Sequence, residues 1–111
     1  MDEREWYSFK CVFEHHGLAQ GAEAAVYEER VVILRATSFD DAIEQGETEA
    51  QQYVEVVGKG SISYAGFISA YHTGETELAD KMEVYSLMRK TTLSREAFLT
   101  HYYDDGTECS Q

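Results

Sequence analysis

The sequence contains no proline, only two cysteines and a single tryptophan. Without proline, turns built on a cis X–Pro bond are excluded. Two cysteines are too few for a disulfide scaffold, and cytosolic disulfides are uncommon. Cys11 alternates with Tyr7, Phe9 and Phe13 and reads as a buried thiol, whereas Cys109 lies in a polar C-terminal stretch. Basic residues are scarce: nine Lys and Arg stand against 21 Asp and Glu, a formal charge of −12. Phosphate recognition needs a basic surface, so this balance argues against a nucleic-acid partner. No apolar run approaches the roughly 20 residues that span a bilayer. The opening Met-Asp-Glu-Arg-Glu lacks the basic start of a signal peptide. The expectation is a bacterial, cytoplasmic protein without membrane association.

What is present suits a folded chain. The 111 residues are 43% hydrophobic, with eight Tyr and five Phe, enough for one domain with a two-layer core. The domain is expected over 1–106, with 107–111 as a flexible tail.

The chain is organised around the stretch 31–54. Val31-Val32-Ile33-Leu34 is a β-branched apolar run, and Ser38 follows as a helix N-cap. From there Phe39, Ala42, Ile43, Gly46, Ala50, Tyr53 and Val54 recur in steps of three and four, one stripe of an amphipathic helix. Asp41 sits near the position of a capping-box acid, and Asp40, Asp41 and Glu44 suit the positive end of the helix dipole.

Around this unit the pattern predicts strands. Residues 6–14 alternate, with Tyr7, Phe9, Cys11 and Phe13 on the core face. Residues 17–25, rich in Gly and Ala, read as a long connection with one helical turn near 22–25. A strand over 26–37 is apolar on both faces beyond Arg30, which places it mid-sheet. Residues 55–60 read as a short strand or a glycine-bounded turn. A strand over 61–73 carries a bulge signal at Ala65-Gly66. A last strand over 82–92 is expected to pair with it, and Ser94 then caps a short helix. Together these give an α+β fold. It has two layers, a mostly antiparallel sheet of four to five strands, a main helix at about 38–54 and a C-terminal helix at about 94–103.

Several of these pieces resemble a bacterial domain-of-unknown-function family, number 4288. They are Tyr27-Glu28-Glu29-Arg30-Val31-Val32-Ile33-Leu34 with Ala36-Thr37-Ser38-Phe39-Asp40-Asp41-Ala42, Tyr64-Ala65-Gly66-Phe67-Ile68, Glu83-Val84-Tyr85-Ser86, Arg89-Lys90-Thr91-Thr92-Leu93-Ser94, and the stretch from Glu96 to Asp104. The resemblance covers about 6–106. It implies a bacterial cytosolic protein and carries over no site residues.

Of the constellations that could carry chemistry, His15-His16 beside Glu14 could meet His72 or His101 around a metal, but no ligand spacing supports this. The pair reads as a solvated loop, and no metal or cofactor is implied. His72 reads as a packing residue and His101 as partly buried on its helix. Arg35 and Arg89 could hold a small anion; a cross-strand ion pair with Glu29 or Glu83 is the simpler reading. Phe67 and Tyr71 share a half-apolar strand face suited to a homodimer interface, with packing by the C-terminal helix as the rival. Asp40, Asp41, Glu44, Glu47 and Glu49 form an acidic helix face able to dock a basic protein. There is no phosphate loop, nucleophile elbow or Cys–His or Ser–His spacing of a catalytic dyad.

The chain therefore reads as a non-enzymatic protein-binding or regulatory, immunity-like module. The alternative is a small-ligand-binding protein or minor enzyme with a pocket between sheet and C-terminal helix, lined by Tyr64, Arg89, His101 and Tyr102. A purely structural homo-oligomer is the third reading.

Overall fold

The computed structural model describes residues 3–16 and 26–102. The 17–25 connection and the tail beyond Tyr102, with Cys109, lie outside the described residues. The elements run β1 (Glu5–His15), β2 (Val26–Ala36), α1 (Phe39–Tyr53), a π-helical turn (Val54–Gly58), β3 (Ile62–His72) and α2 (Arg95–Tyr102). The fold is α+β, and the strands form one antiparallel sheet in the order β2-β1-β3.

Two strand expectations are corrected. The strand over 26–37 is not central: β2 lies at an edge, with Val31 and Ile33 exposed on its outer face. The centre belongs to β1, in which Tyr7 through Cys11 are buried without a break. Two-sided apolarity in β2 thus marks an outer face left uncovered, not a place in mid-sheet. Residues 82–91 do not form a fourth strand in the sheet, so among the described residues it has three strands, not four to five. Instead this segment crosses the outer face. The Ser8 hydroxyl donates to the Val84 carbonyl, and the Tyr85 ring lies 6.2 Å from that of Tyr71 and 5.7 Å from the Lys10 ammonium. The apolar alternation of 82–88 does not track burial: Met82 and Tyr85 are half-buried, whereas Val84, Leu87 and Met88 are exposed.

The inner face of the sheet carries the core. Phe9, Cys11 and Phe13 pack with Ala50 and Ile62, and Tyr7 with Ala36 and Ala42. The stripe of α1 meets them through small residues, Ala42, Gly46 and Ala50, so helix and sheet approach closely. At Gly46 a Cβ would stand 2.7 Å from Ile68 Cδ1 and 3.1 Å from Phe9 Cγ. Phe39, expected on the buried stripe, is 48% exposed at the helix start.

The local signals at the helix ends resolve clearly. Ser38 is the N-cap, and its hydroxyl accepts from the Asp41 backbone N–H at 3.1 Å. Asp41 reaches back one residue further than a capping box requires, accepting from the Thr37 N–H at 2.9 Å. Those bonds hold its carboxyl below the usual carboxylate range, led by the Thr37 backbone bond. The stretch 55–60 is neither a strand nor a simple turn. The helix widens into π geometry and stops at Lys59 in the left-handed region, φ 46°. In β3 the expected bulge is real. Cys11 pairs with Ile68 but Phe13 with Tyr64, so three β3 residues oppose Val12 alone. Gly66, at φ 84°, makes this possible. Ser94 caps α2 by accepting from the Ala97 N–H at 3.2 Å.

Candidate functional site

The most connected polar cluster lies where the C-terminal part of α1 crosses the start of β2. Glu28 and Arg30 point to the inner face, in phase with Val32 and Leu34, and inward charges on an apolar face need partners. Glu28 Oε1 accepts from the Tyr53 hydroxyl at 2.7 Å and lies 2.9 Å from His15 Nε2. Arg30 makes a two-pronged ion pair with Glu49, at 2.8 and 2.7 Å, and its guanidinium lies 4.1 Å from the centre of the Tyr53 ring. Burial works against the Glu28 charge, but the bonds from His15 and Tyr53 and the neighbouring Arg30 outweigh it and draw its carboxyl below the ordinary range. Burial and the same carboxylate push the Tyr53 phenol upward.

Of the two histidines read as a solvated pair, His15 is half-buried and His16 is exposed. His15 ends β1 half-buried against Glu28, and His16 Nε2 lies 2.6 Å from the Ser63 hydroxyl. His72 is a packing residue, stacked on Tyr7 at 4.4 Å and 3.2 Å from Glu5. His101 is exposed rather than partly buried, edge-on to Tyr102. Among the described residues no three His, Cys, Asp or Glu side chains converge to hold a metal ion.

The ligand-site residues read from sequence are distributed rather than gathered. Tyr64 sits beneath α1 on the inner face, 5.6 Å ring to ring from Phe13. There burial raises its phenol and also pushes the neighbouring Cys11 thiol up to about 11. Arg35 lies over the Trp6 ring at 4.9 Å on the outer face, and Arg89 over Tyr102 at 4.4 Å. Arg89, His101 and Tyr102 therefore share the C-terminal segment, while Tyr64 and Arg35 belong to opposite faces of the sheet. An open concavity of about 550 Å³ beside α2 is lined by Leu93, Ser94, Glu96, Ala97, Thr100 and His101. It belongs to that segment alone, because among the described residues α2 packs on no other helix or strand.

The interface residues divide likewise. Phe67 is half exposed at the bulge, whereas Tyr71 is partly covered by Tyr85; the cover is the extended segment, not the C-terminal helix. Asp40 and Glu44 are exposed, and Asp41 and Glu47 half-buried. Along α1 a shallow groove of about 320 Å³ is lined by Asp41, Glu44, Gln45, Thr48, Glu49 and Gln52. Glu29, expected to pair across the strands with Arg35 or Arg89, pairs instead with Lys10, at 2.7 Å.

Sequence reading missed Glu49 and Tyr53 as partners. The available signal was phase: Glu28 and Arg30 fall on the same face of β2 as Val32 and Leu34, and Glu49 and Tyr53 are one helical turn apart. No family model, no curated protein and no solved structure matches the chain.

Proposed function

We propose that this chain is a non-enzymatic, cytosolic protein-binding module of a regulatory or immunity-like kind, and that it docks a basic protein on the acidic face of α1. The observation that carries this reading is the groove along α1. Asp41, Glu44 and Glu49 line it together with three amide or hydroxyl side chains, and α1 contains no Lys, Arg or His. A shallow polar trough of one sign suits a protein side rather than an enclosed small molecule. The net charge of −12 extends the same field over the chain and favours fast encounter with cationic surfaces. Membership of domain-of-unknown-function family 4288 belongs to the same proposal and supplies no site residues.

The test is affinity capture with a tagged chain from its own host, at low and moderate salt, read by mass spectrometry. The expected result is a stoichiometric basic protein that is lost on raising salt. It is also lost with Asp40→Lys/Glu44→Lys and retained with Glu75→Lys/Glu77→Lys, which changes charge equally on an exposed loop. Capture that ignores the α1 reversal, or no companion at all, overturns the reading.

A further inference from the structure

The sheet has two edges among the described residues, and they are not alike. β3 is broken by its bulge at Ala65–Phe67, a feature that disrupts pairing and re-aims an edge. β2 has no such interruption. Its eleven residues keep one unshifted register against β1 from Val26 to Ala36, with no glycine, proline or bulge. Natural edge strands are normally blunted, and β2 carries its inward charges, Glu28 and Arg30, only in its first half. Val31 and Ile33 are 44% and 37% exposed on the outer face. On the inner side α1 leans towards β3 and β1 and least over β2.

We propose that the occupant of this edge is a second copy of the chain, joined β2 to β2 in antiparallel fashion around a twofold axis at Val32 to make a continuous six-stranded sheet. The proposal rests on the reading of the chain as a protein-binding module and names a second partner, at a surface separate from α1. The register follows from symmetry. A twofold normal to the sheet keeps both outer faces on one side, so odd-numbered residues of β2 must oppose odd-numbered residues of its mate. Centred on Val32, Glu29 opposes Arg35 of the second copy, Val31 opposes Ile33, and each pair occurs twice. Centring on Val31 sets Glu29 against Ile33 and Arg35 against Tyr27. Centring on Ile33 sets Arg35 against Val31. Only the Val32 register makes both charges and both exposed aliphatic residues self-complementary, and opposed pairs of these kinds stabilise antiparallel ladders. Glu28 and Arg30 stay with His15, Tyr53 and Glu49 beneath their own helix and need not move.

Sedimentation equilibrium over a wide concentration range tests this on the full chain. Wild type is expected to show a reversible monomer–dimer equilibrium. Ile33→Lys, at an exposed outer position, is expected to leave a monomer with an unchanged circular dichroism spectrum. Arg35→Glu sets like charges opposite each other twice and weakens the dimer by about tenfold, and Glu29→Arg/Arg35→Glu restores it in part, since Glu29 also serves Lys10. A wild-type chain that is monomeric throughout, or a dimer indifferent to Ile33→Lys and to the charge exchange, overturns the proposal. So does slow amide exchange along the β2 edge in a proven monomer, since the chain would then cover that edge itself. The two readings fail separately, because Ile33→Lys leaves salt-sensitive capture on α1 intact and Asp40→Lys/Glu44→Lys leaves sedimentation unchanged.

Discussion

Arg30 clamps Glu49 with both carboxylate oxygens, at 2.8 and 2.7 Å, and fastens the edge strand β2 to the helix that covers the core. Each side chain of the pair is about 30% exposed, and the guanidinium is stacked on Tyr53 besides. One nitrogen, Nη1, thus reaches both carboxylate oxygens while the guanidinium plane lies on the ring, and it is the stacking that an ammonium cannot reproduce. Glu49→Ala is expected to lower stability by about 1 kcal/mol, towards the upper end for partly exposed pairs. Arg30→Lys, which can keep the ion pair but not the stacking, should lose only part of the same energy. Denaturant titration of these variants, of Arg30→Ala and of Arg30→Ala/Glu49→Ala checks this; additive losses in the two alanine variants would show that the residues are not coupled.

Glu28 gives the same junction a pH dependence. Its folded carboxyl titrates below its ordinary value of about 4.3. A depressed carboxyl adds stability above its unfolded pKa, and that stability is lost as pH falls through the folded pKa. Glu28→Gln should therefore cost about 1 kcal/mol at neutral pH, the net scale of a typical intramolecular hydrogen bond. The gap from wild type should close in acid, once pH has fallen through the depressed folded value. Chemical denaturation across this range is the measurement, and a gap that persists in acid would assign the loss to packing instead.

How much of this was legible in the sequence depended on whether the signal was local. The N-cap at Ser38, the period of α1, the bulge at Ala65-Gly66 and the core face of β1 are all set by neighbouring residues, and each appears where the spacing places it. Strand order was not legible, because an apolar outer face on β2 looks the same whether a layer covers it or not. The fourth strand failed for a related reason. The segment touches the sheet face through Ser8 and Tyr85, but its apolar alternation does not follow that contact, since Val84, Leu87 and Met88 are exposed. The site residues read from sequence were joined on residue type, whereas Tyr64 and Arg35 point to opposite faces by the parity of their strands.

Two glycines should respond to alanine for different reasons. Alanine in an exposed helix position is favoured over glycine by about 1 kcal/mol. At Gly46 the added methyl would meet Ile68 and Phe9 inside ordinary contact distance, so Gly46→Ala is expected to destabilise by about 1–3 kcal/mol through overpacking. At Gly66 the space is open but φ is 84°, and Gly66→Ala strains only the backbone, at about 1–2 kcal/mol. Trimming the neighbour separates them: Ile68→Val should partly rescue Gly46→Ala and leave Gly66→Ala unrescued. A Gly46→Ala chain that melts higher than wild type would show that helix and sheet are less tightly apposed.

The C-terminal segment is held at one place and loose at another, so substitutions within it should part company. Residues 82–88 are fastened by the Ser8 bond to the Val84 carbonyl and by Tyr85 against Tyr71 and Lys10, whereas α2 rests on no other element. Tyr85→Ala removes the larger contact and should raise the local opening of this segment with little change in the sheet. Limited trypsin digestion reads this directly, because Lys81, Arg89 and Lys90 flank the fastened stretch and are exposed. Cleavage there should accelerate several-fold. Phe98→Ala trims a half-buried ring that lies 4.8 Å from that of Tyr102 and should accelerate cleavage at Lys81 less than Tyr85→Ala does. Equal acceleration in the two variants would mean that α2 also holds the segment down.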